Sequence, residues 1–161
     1  MSQSKTAKDS ADLYKVEGFN PDDAVSYLLH SVVHSMKCQM EQGMEPHDLT
    51  AMQWQPLYMI AIGRANTAAG LARLMQVDTG AVTRMIDRLE AKGLVTRERD
   101  NQDRRIVNLT LTRTGRERAD AVPAVLCTAL NQHLSGFSSD ELTLLKSLLQ
   151  RMIDNGTEML A

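Results

Sequence analysis

The chain has 161 residues, 43% of them hydrophobic and 24% charged, which excludes wholesale disorder and fits one domain with room for an added dimerisation element. Aromatic residues are few, and ten methionines among many Leu and Ala favour helix over sheet; no apolar run reaches membrane-span length and the first dozen residues lack the apolar stretch of a signal peptide, so a cytoplasmic protein is expected. The net charge of −2 hides a basic middle, because twelve Arg and Lys face seven Asp and Glu between Arg64 and Arg118 while the remainder has six against thirteen. Eleven of those twelve cations are Arg, the residue suited to bidentate phosphate and base contacts.

Residues 1–20 are polar and aperiodic and read as a flexible arm. A helix is expected from Pro21, with Asn20 as its cap and Asp22 and Asp23 facing the positive helix end, and with Val25, Leu28, Leu29, Val32, Met36 and Met40 as its apolar face as far as Gly43. Thr50 and Gln53 form a capping box, flanked by Leu49 and Trp54 at staple positions, so a second helix starts there; Pro56 removes one bond inside it. Thr67 caps a short third helix, Ala68 to Met75, and after Gln76-Val77 a fourth runs from about Asp78 to Lys92, closed by Gly93. The period then changes to two over residues 94–99 and 105–111, on either side of the turn Asp100-Asn101-Gln102-Asp103, which predicts a β-hairpin. Thr112 or Thr114 opens a long helix with a kink at Pro123. Ser138 and Glu141 cap the last helix, whose buried stripe is Leu142, Leu145, Leu149 and Met152 and which frays past Asn155-Gly156.

Two helices joined by a tight turn and followed at once by a basic hairpin have the layout of a winged helix-turn-helix, in which the second helix enters the major groove and the hairpin reaches the minor groove. The fold class is thus mainly α with an α/β wing and long N- and C-terminal helices. The stretches Leu49-Thr50-Ala51-Met52-Gln53-Trp54, Leu71-Ala72, Val82 through Val95 and Asp103 through Thr110 resemble the MarR (multiple antibiotic resistance regulator) transcription factors from about Ala24 onward. The resemblance implies a homodimer whose first, fifth and sixth helices intertwine and which binds an inverted repeat in double-stranded DNA, with half-sites roughly 10 bp apart. It divides the chain into the arm (1–20), a dimerisation helix (21–48), the winged helix lobe (49–111) and C-terminal dimerisation helices (112–161). The outer helices are too long and too apolar for a lone lobe, which agrees with this division.

Thr79, Gly80, Thr83, Arg84 and Arg88 project away from the core side of the fourth helix and are the expected groove contacts, with Arg84 offering a fork to guanine or phosphate. Arg88 has a second reading, as an intramolecular partner of Asp87 or Glu90. Arg104 and Arg105 stand at the wing turn, where a long cation enters an A·T-rich minor groove; the resemblance favours Arg105, with Asp103 orienting its guanidinium. Thr67, Arg73, Arg97 and Arg99 are phosphate candidates or solvated surface residues. Gly70 and Gly80 depart from the family pattern, which has an acidic residue and often Ser or Pro at those places.

The resemblance further implies release from DNA by a small aromatic acid or phenol held between dimer helices and lobe, with His30, His34, Trp54, Tyr58 and Arg64 as candidate lining; core or staple roles for these residues are the competing reading. No GxSxG, HExxH or Walker-type loop occurs and the four His form no ligand set, so neither an enzyme nor a metal or other cofactor is expected. Cys38 and Cys127 are read as buried thiols. The alternative function is a winged helix for protein contacts or nonspecific architectural DNA binding.

Overall fold

The chain divides into two compact units, residues 1–35 and residues 36–161, and a computed structural model describes residues 13–159. The arm expected over residues 1–20 lies outside the described residues as far as residue 12. In the first unit the rings of Tyr14 and Phe19 meet edge to face, 6.0 Å between centroids. Asn20 caps as expected, its side chain accepting the Asp22 N–H at 3.1 Å, but the turn it opens is a separate 3-10 turn, Pro21–Asp23, ended by an extended Ala24. The first helix, α1, therefore starts later than Pro21 and spans Val25–Met44. The Tyr14 hydroxyl takes the Val25 N–H at 2.8 Å, satisfying a donor that no helical carbonyl reaches.

The second unit holds the core. Leu57 of α2 (Ala51–Ala61), Leu71 of α3 (Ala68–Met75), and Val82, Ile86 and Leu89 of α4 (Thr79–Ala91) are buried together with Val95 of β1 (Val95–Arg99), Leu109 of β2 (Val107–Leu111) and Val122 of α5 (Arg113–His133). Trp54 packs against the same cluster, to which Leu49 belongs, as the staple requires. Each helix start uses a side chain within three residues: Gln53 Oε1 accepts the Thr50 N–H at 3.2 Å, Thr67 accepts from Gly70 at 3.1 Å, Asp78 from Ala81 at 2.8 Å and Thr112 from Gly115 at 3.0 Å. Between α3 and α4 Gln76 turns the chain in the left-handed conformation, φ 54, which compresses the connection to a few residues.

The strands β1 and β2 pair antiparallel with Val95 opposite Leu111 and Arg99 opposite Val107. The second strand starts at Val107, two residues later than the alternation suggests. Asp100 donates its N–H to the Ile106 carbonyl at 3.0 Å, closing residues 100–106 as one loop. The Leu109 N–H donates to the Asn66 carbonyl at 2.7 Å, so the chain just ahead of α3 is bonded to the second strand of the hairpin.

The last helix, α6, spans Ser139–Glu158 and so passes through Asn155-Gly156, where fraying was expected. One glycine costs about 1 kcal/mol in a helix interior, too little to end it. Ser138 and Glu141 cap it reciprocally, at 2.8 and 3.2 Å. Its expected stripe is not buried within the chain: Leu145 and Met152 are exposed and Leu142 and Leu149 only half-buried, and on the same helix Leu144 is 58% and Ile153 60% exposed. Cys38 on α1 and Cys127 on α5 are also exposed rather than buried; the positions of α5 that turn to the core are Gly115, Ala119, Val122 and Ala129.

Candidate nucleic-acid interface

The residues of α4 sort by helical period into two faces. Val82, Met85, Ile86 and Leu89 are buried, while Thr79, Gly80, Thr83, Arg84, Asp87 and Arg88 are exposed. All five of the expected groove contacts thus share the open face. The Thr83 hydroxyl donates to the Thr79 carbonyl at 2.8 Å, so its proton is committed and it offers only lone pairs and a methyl group outward. A Cβ added at Gly80 would lie 3.0 Å from Asp78 Oδ1 and 3.6 Å from Arg84 Nη1. The missing side chain accommodates both the helix cap and the Arg84 guanidinium.

Arg88 takes part in no ion pair among the described residues. Asp87 and Glu90 are instead held by Arg97 of β1, whose Nη2 and Nη1 each lie 2.6 Å from one of the two carboxylates. This fork ties the first strand of the wing to the exposed edge of the recognition helix. Sequence reasoning left Arg97 as a phosphate candidate or a solvated surface residue; residues seven and ten positions away hold it, and no local spacing signals such a pair. Just past the same C-terminal end of α4, Lys92 Nζ binds the carbonyl and carboxylate of Asp48 at 2.8 and 2.9 Å. Asp48 closes the turn after α1 with φ 53, so this contact anchors the end of α4 to that turn. The hydrogen bond and charge of Lys92 hold the Asp48 carboxyl below its ordinary value of 3.8.

Arg104, Arg105 and Asp103 are exposed at the wing tip; Arg99 at the end of β1 and Arg73 on α3 are exposed as well, while Thr67 is half-buried. Asp103 does not hold the Arg105 guanidinium. Its carboxylate accepts the Arg105 backbone N–H at 2.9 Å and its carbonyl accepts from Ile106 at 2.9 Å, because an Asx turn brings the nearest donor from the main chain. Asp100, read from the sequence only as a turn residue, has three donors on one side chain: the N–H groups of Gln102 and Asp103 at 2.8 and 3.0 Å and Asn108 Nδ2 at 3.0 Å. These hold its carboxyl below the ordinary 3.8, with the Asp103 N–H the largest cause, then Gln102 and then Asn108.

The helix-turn-helix with its basic wing is therefore one braced unit, and comparison with known proteins settles its kinship. A model of the MarR family matches residues 49–107. The chain is 31% identical over 136 residues to the Multiple antibiotic resistance protein MarR of Escherichia coli (strain K12), covering 84% of this chain and 94% of that protein. The chain belongs to the MarR family of transcriptional regulators. Similar solved structures include complexes with DNA. The S. aureus MepR–DNA complex superposes with a TM-score of 0.75 at 27% identity, over 82% of this chain and 98% of that one. A mutant of E. coli MarR complexed with operator DNA gives 0.71 at 31% identity, over 79% and 91%. As a MarR regulator the chain is not an enzyme.

Trp54 lines a cavity of about 300 Å3 with Lys37, Gln55 and four methionines, Met40, Met52, Met75 and Met85, and neither Tyr58 nor Arg64 is in its wall. Tyr58 packs against the core and Arg64 is exposed, while His30 and His34 belong to the first unit. Lys37 and the four methionines lie on four separate segments and share no period, so no spacing in the sequence brings them together. Among the described residues no group of three His, Cys, Asp or Glu is placed to hold a metal, and no helix is long and apolar enough to cross a membrane.

Proposed function

We propose that this MarR-family chain acts in the cytoplasm as a homodimeric repressor that reads an inverted repeat in double-stranded DNA through α4 and the wing. The observation that carries the reading is the open face of α4, with Thr79, Gly80, Thr83, Arg84 and Arg88, braced by Arg97 to a wing that presents Arg104 and Arg105. Arg84, on the groove side, suits guanine or phosphate; Arg105 suits a narrow minor groove; Arg73, Arg99 and Thr67 flank them as phosphate contacts. The DNA complexes of related regulators support this use. The exposed apolar side of α6, from Leu144 to Ile153, supports a partner copy, since so much apolar surface is rarely left in water.

Selection of bound duplexes from a random pool tests the reading. Enrichment of an inverted repeat is expected, and Arg105→Ala should weaken binding to it by about 1–3 kcal/mol and lessen preference for A·T flanks. A featureless pool leaves only an architectural or protein-binding winged helix.

Release by a small aromatic acid or phenol belongs to the same reading, with the cavity beside Trp54 as its seat. The indole and methionines suit a flat apolar body, and Lys37 suits its carboxylate. Such a ligand works only by preferring a lobe spacing that no longer matches the duplex. Titration with benzoate- and salicylate-type acids should raise the melting temperature of the wild type and not of Trp54→Ala; equal shifts in both would place the ligand elsewhere.

A further inference from the structure

The wing tip has a support that runs back to the start of α3. The Asn66 carbonyl accepts the Leu109 N–H at 2.7 Å, and Asn66 Nδ2 donates to Asn108 Oδ1 at 3.3 Å. Asn108 Nδ2 donates to Asp100 Oδ2 at 3.0 Å, and Asp100 Oδ1 accepts from Gln102 and Asp103 at 2.8 and 3.0 Å. Asp103 then holds Arg105 through its N–H at 2.9 Å. Every step from the helix-turn-helix to the tip arginines is thus a hydrogen bond, through a seven-residue loop that two main-chain bonds, Asp100 N–H to Ile106 and Ile106 N–H to Asp103, also close.

We propose that Asp100 is a positioning residue for DNA recognition: its carboxylate presets the wing tip so that Arg104 and Arg105 meet the minor groove without an ordering cost. The inference rests on the reading of the wing as a DNA contact. Two arguments carry it. A carboxylate in a surface meant for a polyanion is unfavourable by itself, so its presence calls for a compensating task, and three donors converge on this one. Loop preorganisation, moreover, acts on affinity directly, because each side chain immobilised on binding weakens it. An amide at 100 has a single acceptor oxygen and sets its NH2 against that of Asn108, a clash relieved only if the Asn108 and Asn66 amides both turn over.

The polarity of the pair is reversible on paper, which gives the test. Asp100→Asn alone opposes two donors, and Asn108→Asp alone opposes two carboxylates. In the double variant the amide introduced at 100 donates to the carboxylate introduced at 108, whose second oxygen accepts from Asn66, and every bond is restored.

Binding of the full-length protein is measured to the duplex enriched from the random pool, with its flanks either A·T or G·C, and melting temperature is followed in parallel. Each single variant is expected to bind the A·T-flanked duplex about tenfold more weakly and to lose the flank preference, with melting little changed. The double variant should return to within about threefold of the wild type with its flank preference. Single variants that bind like the wild type, single variants that lose affinity equally for both flanks in step with melting temperature, or a double variant no better than the singles would each overturn the proposal. Arg105→Ala in the same assay separates the two readings. If it also binds like the wild type, the wing contact itself fails; if it weakens binding while Asp100→Asn does not, only the role of Asp100 falls.

Discussion

Gly115→Ala is expected to lower the melting temperature by about 6–12 °C, the equivalent of about 3 kcal/mol in a chain of this size. An added Cβ would stand 1.9 Å from the Leu94 carbonyl oxygen, 2.9 Å from its carbon and 3.3 Å from the Leu94 Cα. These are backbone atoms, which cannot swing aside as the end of a side chain does. The approach is also clamped from three directions: Thr112 donates its N–H to Leu94 at 3.1 Å and its hydroxyl to Gly93 at 2.6 Å, and that hydroxyl accepts the Gly115 N–H at 3.0 Å. Relief would have to break this clasp, which joins the start of α5 to the corner between α4 and β1. Circular dichroism melts of the two proteins decide the matter, and a difference below about 2 °C would show that the corner yields. Since α5 leads from the DNA-reading lobe toward the apolar outer helices, the same variant should bind DNA less well even where it is folded.

The second large effect concerns Arg97. Its removal leaves Asp87 and Glu90 unneutralised on the edge of the helix that is proposed to face DNA, and uncouples that helix from the wing. The pair is half open to solvent, with side chains 30%, 56% and 42% exposed, so the loss of fold stability should stay near or below about 1 kcal/mol. Affinity for DNA should fall further, by about 2 kcal/mol, because two carboxylates now oppose the phosphates and the wing is no longer held. Fluorescence anisotropy with Arg97→Ala and with the triple variant Arg97→Ala/Asp87→Asn/Glu90→Gln separates a brace from a direct contact. Substantial recovery in the triple variant supports the neutralising brace. No recovery, with a salt slope reduced by about one, would return Arg97 to the phosphate contact that its sequence position first suggested.

What could be read in the sequence is what the chain decides within one turn. The caps at Asn20, Thr50, Thr67 and Ser138 stand within three residues of their donors or acceptors, so spacing alone locates them, while Asp78 as a cap and the choice of Thr112 over Thr114 came from the structure. The two faces of α4 follow from the 3.6 period, and the wing follows from the change to a period of two. By the same logic the sequence placed Thr79, Gly80, Thr83, Arg84 and Arg88 on one open face before any fold was known. Only the tertiary structure decided which charges neutralise one another and which glycine is irreplaceable. Arg97 reaches Asp87 and Glu90, Lys92 reaches Asp48 forty-four residues away, Asn108 reaches Asn66, and Gly115 meets Leu94. These contacts are made where separate elements cross, and no periodicity along the chain records a crossing. The exposed Cys127 and the uncovered face of α6 have the same origin: an amphipathic pattern says that a face is apolar, while burial depends on what packs against it.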